Sequence, residues 1–113
     1  VRSRPGRPGA LPVAMAKDPK MVVGTLRIRL VIRGARSLKD KRRVVRSVKD
    51  RVRHRFNASV AEVEALDSIQ TAVLGVAVVA NDGAHVRSVL AQIGNLARLA
   101  RNAELAACDM EIL

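Results

Sequence analysis

The sequence predicts an α+β fold in which strands and helices follow the order β-α-β-β-α-β. Three observations support this prediction. Residues 26–33 alternate apolar and basic side chains, which is the period of a strand with one buried face. Two later segments, which end near Phe56 and Ala100, repeat apolar residues at helical spacing. Residues 71–80 form a nearly continuous apolar run, which is typical of a central strand.

The first strand separates its side chains into two sets by parity, since successive residues of a strand point to opposite faces. The even-numbered apolar residues are expected to face the core. The odd-numbered basic residues, expected on the other face, are secondary candidates for ligand contacts: Arg27, Arg29 and Arg33. Cross-strand ion pairs with Asp109 and Glu111 are the competing interpretation. Packing of that face against a second subunit is a further alternative.

The first helix is predicted to begin after Ser37, which acts as the N-cap, with Asp40 at the third helical position. It is expected to end at Asn57. Within this helix, apolar residues at helical spacing form one stripe: Val45, Val48, Val52 and Phe56. Lys41 lies one turn before this stripe, so we expect its stem to pack and its ammonium to extend to solvent.

The remaining elements complete two βαβ halves. Residues 58–64 are predicted to form a second strand, whose register the sequence does not determine. Asp82 is the predicted N-cap of a second helix, which ends at Asn102, and residues 104–113 are the last strand. Cys108 has core parity there and is expected to be inert packing. Two such halves make a ferredoxin-like split sandwich. The predicted sheet is antiparallel with the order 4-1-3-2, and both helices cover one face while the other stays open.

The chain divides into two regions. Residues 1–20 hold all four prolines and lack a hydrophobic period, so they are expected to be a disordered, basic extension. The alternative is a basic arm that touches RNA. Residues 21–113 are expected to form a single domain.

Composition excludes several classes of function. One cysteine excludes an internal disulfide, and no run of apolar residues is long enough for a membrane-spanning helix. The chain has one Phe, no Trp and no Tyr, so stacking of bases on aromatic side chains is largely excluded. His54 and His85 belong to different predicted helices, and no phosphate loop or nucleophile motif occurs. We therefore expect no enzymatic activity, no cofactor and no metal site.

The positive charge is concentrated in one segment. Residues 27–55 hold thirteen of the twenty-one Lys and Arg residues against two acids, a net +11 that equals the charge of the whole chain. A localised field of this sign attracts polyanions, of which nucleic acid is the commonest in a cell. The predicted phosphate contacts lie on or just before the first helix: Arg36, Lys39, Arg42, Arg43, Arg46, Lys49 and Arg53. The alternative is an ordinary solvated helix face.

Several motifs carry a resemblance to a known family. The most specific is Ser37-Leu38-Lys39-Asp40-Lys41-Arg42-Arg43, followed by Phe56-Asn57 and by Ser59-Val60-Ala61-Glu62-Val63. Together with the apolar run of residues 71–80, they resemble the bacterial YlxP-like family, a domain of unknown function. The resemblance covers residues 21–113. It implies a ferredoxin-like fold and an association with translation, because family members are typically encoded beside translation-initiation and ribosome-maturation factors.

These observations predict a cytoplasmic, non-enzymatic RNA-binding protein that acts on ribosomal RNA or on a ribosomal subunit. Shape and charge would dominate over base reading, since aromatic side chains are missing. The alternative without nucleic acid is a self-associating interaction module, which would pair as a homodimer through the open sheet face or a strand edge. An enzyme or small-ligand sensor is a third hypothesis.

Overall fold

A computed structural model describes residues 21–113, and the predicted extension at residues 1–20 lies outside the described residues. The elements follow the predicted order: β1 (Val22–Val31), α1 (Leu38–Arg55), β2 (Ser59–Glu64), β3 (Thr71–Ala80), α2 (Gly83–Arg98) and β4 (Glu104–Ile112). The strands form one four-stranded sheet in the order β2-β3-β1-β4, with antiparallel neighbours throughout. This is the predicted order read from the other edge. The ferredoxin-like fold class is therefore confirmed.

The core lies between the sheet and both helices. In β1, Leu26, Ile28 and Leu30 are buried, as their parity predicts. α1 packs on β2 and β3, whereas α2 packs on β1, β3 and β4. Gly24 lets α2 come close to the sheet, since a Cβ there would lie 2.4 Å from Cγ1 of Val86. The two helices thus cover different halves of the same face.

Side-chain caps set where both helices begin. The Ser37 hydroxyl accepts a hydrogen bond from the Asp40 amide at 3.1 Å, and the Asp40 carboxylate accepts one from the Arg36 amide at 2.9 Å. The first bond satisfies an amide that a helix start leaves unpaired, and the second ties the residue before the N-cap to the first turn. Asp82 caps α2 in the same way by accepting from the His85 amide at 2.9 Å. Both predicted N-caps are confirmed, and α1 ends with Phe56 as its C-cap, one residue before the predicted end at Asn57.

The prediction that Lys41 extends its ammonium to solvent is wrong. Lys41 is fully buried, and its Nζ donates to three backbone carbonyls: Ala65 at 2.9 Å, Leu66 at 3.3 Å and Thr71 at 3.2 Å. The β2–β3 connection and the first residue of β3 supply these carbonyls and so replace water around the ammonium. Because an ammonium has three protons, all of its donors are used.

Glu62 supplies the opposite charge to this buried ammonium. Its Oε2 lies 2.9 Å from Lys41 Nζ but accepts no hydrogen bond, so charge attraction holds the pair. The pair also settles the register of β2, which the sequence left open. Val60 and Glu62 face the helices.

Candidate nucleic-acid interface

The basic residues predicted for phosphate contact form a continuous surface on α1. We call the helical members the α1 stripe: Lys39, Arg42, Arg43, Arg46, Lys49 and Arg53. At 100° per residue they fall within roughly a third of the helix circumference, on the side turned away from the core. All are exposed except Lys49, which is half-buried. Arg36 is exposed just before the helix, so the predicted candidates do lie together.

The stripe is weakly compensated by acids. Ion pairs among residues 21–113 join Arg27 to Glu64, Arg33 to Glu104 and Lys41 to Glu62, and none includes a residue of the α1 stripe. Asp50 falls within the same arc of the helix, so the six positive charges of the stripe leave a net charge of +5 there. The stripe therefore keeps most of its charge available for an external anion.

Arg53 differs from the other residues of the stripe. Its Nη2 donates to the backbone carbonyl of Val60 at 3.0 Å, which ties the last turns of α1 to β2. One nitrogen of the guanidinium is thus committed to the fold, and the remaining N–H groups are available to a ligand.

The basic residues of the open sheet face are partly neutralised. Arg27 forms an ion pair with Glu64 of β2, so the predicted pairing occurs with a different partner from Asp109 or Glu111. Arg27 lies on β1 and Glu64 on β2, so this ion pair spans the intervening strand β3. Arg29 is exposed and lies in none of the ion pairs of the described region, so the pairing predicted for it is absent.

Arg33 is held at the end of the sheet by a bidentate ion pair with Glu104. Its Nε lies 2.7 Å from Glu104 Oε2, and its Nη2 lies 3.3 Å from Oε1. The hydrogen bonds and the opposite charge raise the pKa of Arg33 and lower the pKa of Glu104. Arg33 is therefore neutralised locally, and its guanidinium plane is fixed by the carboxylate.

A cleft of about 570 Å³ lies beside the first turns of α1. We call it the β1–α1 cleft, because the end of β1 and the start of α1 form most of its wall and the α2–β4 turn closes it. Its apolar wall includes Val31, Ala35 and Val44, and its polar wall includes Asp40, Arg43 and Asn102. Sequence reasoning missed this cleft because its two parts lie almost sixty residues apart, and no local pattern brings them together.

A glutamine side chain fixes the loop that forms the floor of the β1–α1 cleft. Gln70 Nε2 donates to the carbonyls of Arg33 at 2.9 Å and Ala35 at 3.0 Å. The backbone carbonyl of Gln70 also accepts from the Ile32 amide at 2.8 Å. These bonds hold residues 32–35 in place, so the cleft is largely preformed.

Other chemistry-bearing side chains do not converge. Cys108 is exposed on β4, contrary to the predicted core position, because β4 is an edge strand that α2 covers incompletely. Desolvation and the charge of Asp109 raise the pKa of the Cys108 thiol, which favours the less reactive thiol form. Residues 21–113 contain no grouping of His, Cys, Asp and Glu that could hold a metal ion. In that same region, neither helix is long and apolar enough to cross a membrane.

Residues 23–112 match the family described as "Protein of unknown function (DUF503)". The chain belongs to this family. The match spans every strand and helix of the DUF503 domain apart from the first residue of β1, and the description assigns no activity.

Two solved structures of designed proteins are similar to this DUF503 domain. The first is "De novo designed protein Foldit4", at 16% identity over 82% of this chain and 96% of that chain, with a TM-score of 0.47. The second is "De novo designed protein Ferredog-Diesel", at 16% identity over 79% of this chain and 83% of that chain, with a TM-score of 0.42. No match was found among curated proteins.

Proposed function

We propose that this protein binds structured RNA through phosphate contacts along the α1 stripe and catalyses no reaction. The observation that carries the proposal is that six basic side chains share one arc of α1 with a single acid, Asp50, among them. Arg27, Arg33 and Lys41 each have an acidic partner, whereas the stripe residues lie in none of the ion pairs of residues 21–113. Such a surface favours an external polyanion as the counter-charge.

The stripe has the chemistry and the rigidity that phosphate binding needs. Four of its six residues are Arg, whose planar fork can bond two phosphate oxygens at once. The helix that carries them is capped by Ser37 and anchored by Lys41 and Arg53. Because the backbone is already ordered, binding would have to order only the side chains.

Structured RNA is favoured over reading of single-stranded bases along the open sheet. The open sheet face carries no aromatic side chain for stacking, and Arg27 is paired there. A helix along phosphates instead reads shape and charge. The resemblance to the YlxP-like family supports ribosomal RNA or a ribosomal subunit as the target, in the cytoplasm.

The test is a charge reversal on the stripe away from the cleft. Lys39→Glu, Arg42→Glu and Arg46→Glu combined should weaken binding to ribosomal subunits and to a structured ribosomal RNA fragment. The slope of log affinity against log salt should flatten by about one for each lost phosphate contact.

The matched control for this reversal is Arg87→Glu, Arg98→Glu and Arg101→Glu combined. These three residues are exposed on or near α2, and the change in net charge is identical. The control should keep most of the affinity and the wild-type slope. Equal losses in both triple variants would show that only net charge matters, and unchanged binding in the stripe variant would refute the proposal.

Self-association is a second candidate function, favoured by the exposed edge of β4. Its nine residues lie at the edge of the sheet, and Met110 is 41% exposed beside the exposed Cys108. The free edge of such a strand offers unpaired N–H and C=O groups to a second copy. Sedimentation equilibrium distinguishes the two functions. A dimer that Met110→Lys dissociates, in a protein with no affinity for RNA, would replace the RNA proposal.

A further inference from the structure

The β1–α1 cleft and the α1 stripe meet at one residue. Arg43 belongs to the stripe and also lines the cleft. A strand of RNA whose phosphates follow the stripe would therefore pass the mouth of the cleft. A group that enters the cleft must fit one apolar wall and one polar wall.

The polar groups of the cleft suit a neutral group with both donors and acceptors. Asp40 and Glu104 place two carboxylates there, which disfavours a free anion as the occupant. Asp40 uses Oδ2 to accept from the Arg36 amide, and its other oxygen can accept from a ligand. Asn102 and Arg43 add donors. The edge of a nucleobase carries both kinds of group.

One residue that lines the cleft carries a planar group. This residue is Arg33, whose guanidinium is held by both oxygens of Glu104. Splayed-out bases of RNA stack on guanidinium planes as well as on aromatic rings. The Arg33–Glu104 pair thus offers a stacking surface in a chain that has no Trp or Tyr.

We propose that the β1–α1 cleft binds one unpaired nucleotide of the RNA that lies along the α1 stripe. The base enters the cleft against Arg33 and the apolar wall, and its phosphate stays on Arg43. The volume of about 570 Å³ lies within the roughly 300–1,000 Å³ typical of small-ligand sites. The inference rests on the proposed function and adds a preference for a bulged or looped nucleotide.

The experiment compares an RNA hairpin that has a single-nucleotide bulge with the same hairpin fully paired. The wild-type protein should bind the bulged RNA about five- to tenfold more tightly, the low end of what one stacked base contributes. Reversal of Lys39, Arg42 and Arg46 should weaken binding to both RNAs.

Gly34→Leu adds an apolar side chain to the wall of the cleft without a change of charge. A Cβ at Gly34 would meet nothing within 4 Å, so the variant should fold. It should lose the preference for the bulge and keep the wild-type affinity and salt slope for the paired RNA. The matched control is Gly83→Leu at the start of α2, where the nearest atom to an added Cβ is Arg87 Nη1 at 3.6 Å. Arg33→Gln, which removes the planar guanidinium, should also reduce the preference.

The outcomes separate the two proposals. Failure to bind either RNA would refute the proposed function. Equal, salt-dependent binding of both RNAs would leave that function standing and overturn the cleft inference, as would a bulge preference that Gly34→Leu does not change. Free adenosine or uridine monophosphate is the last probe. The cleft inference would also be overturned if a free nucleotide bound as tightly as the bulged RNA and if the stripe reversal did not change that binding.

Discussion

The ammonium of Lys41 lies 2.9 Å from the carboxylate of Glu62, with side chains that are only 1% and 15% exposed. Lys41 is in the first turn of α1 and Glu62 is in β2, so the pair joins the helix to the sheet edge that it covers. Backbone carbonyls of the β2–β3 connection and of Thr71 at the start of β3 complete the site. The position of the α1 stripe therefore depends on a buried charge on the opposite side of the same helix.

Removal of the buried ammonium should strongly destabilise the fold. Lys41→Met leaves Glu62 uncompensated and three carbonyls without a donor, so the free energy of unfolding should fall by about 3–5 kcal/mol. Urea denaturation measures this change. Lys39→Met, on the exposed face of the same turn, should change stability by no more than about 0.5 kcal/mol.

A double variant shows which part of that loss is electrostatic. Lys41→Met combined with Glu62→Gln should be more stable than Lys41→Met alone, because the uncompensated charge is gone. Equal stabilities of the single and double variants would assign the whole loss to the carbonyls.

Gly24 should not tolerate a side chain. A Cβ there would lie 2.4 Å from Val86 Cγ1 and 2.8 Å from Leu90 Cδ1, so Gly24→Ala should cost about 1–3 kcal/mol by overpacking. Addition of Val86→Ala should cost less in this background than in the wild type, since it removes the clashing methyl group. Thermal and urea unfolding measure both effects. Gly34→Ala is the control and should be nearly neutral, and additive losses at Gly24 and Val86 would contradict the close approach.

The N-cap of α1 should contribute measurably to stability. Ser37→Ala removes the bond from the Asp40 amide and should cost about 0.5–2 kcal/mol. Ser47 offers a matched control, because it is exposed in the middle of the same helix, where Ala is the better helix former. Ser47→Ala should be neutral or slightly stabilising in the same urea titration. A loss at Ser47 as large as that at Ser37 would argue against the cap.

The Arg33–Glu104 pair predicts a pH dependence of definite sign. The pKa of Glu104 is lowered in the folded protein, so its contribution is present above the ordinary Glu pKa of about 4.3. This contribution to stability is lost as the pH falls through the lowered pKa that Glu104 has in the folded protein. Because both side chains are exposed, solvent screens the pair and the effect on stability is small. NMR titration of the Glu104 carboxyl is the direct measurement: Arg33→Gln should raise its pKa. An unchanged pKa would mean that the pair does not form in solution.

The element order and the caps could be predicted because their signals are local. Ser37 and Asp82 lie within three residues of the amides that they bond, and the alternation of β1 lies within one strand. Lys41 was predicted wrongly because its partners come from the β2–β3 connection, more than twenty residues away. Helical period placed its stem correctly but carried no information on which carbonyls would surround the ammonium.

Side-chain partners on the sheet were equally hard to predict. Parity placed Arg27 on the open face, yet its partner Glu64 lies two strands away and depends on the register shift after Glu62. Cys108 has the parity of the core, but parity does not say how much of an edge strand a helix covers. The stripe on α1 was predictable because it needs only the period of one helix.

The sheet order gives the molecule an electric polarity. α1 packs over β2 at one edge of the sheet, and Asp109 and Glu111 lie on β4 at the other edge, in none of the ion pairs found between residues 21 and 113. The two acids of β2, Glu62 and Glu64, are neutralised by Lys41 and Arg27. The field of a polyanion exerts a torque on these separated charges. This torque turns α1 toward the polyanion and β4 away from it before any contact forms. Rotational diffusion would then be biased toward the encounter orientation that the stripe requires.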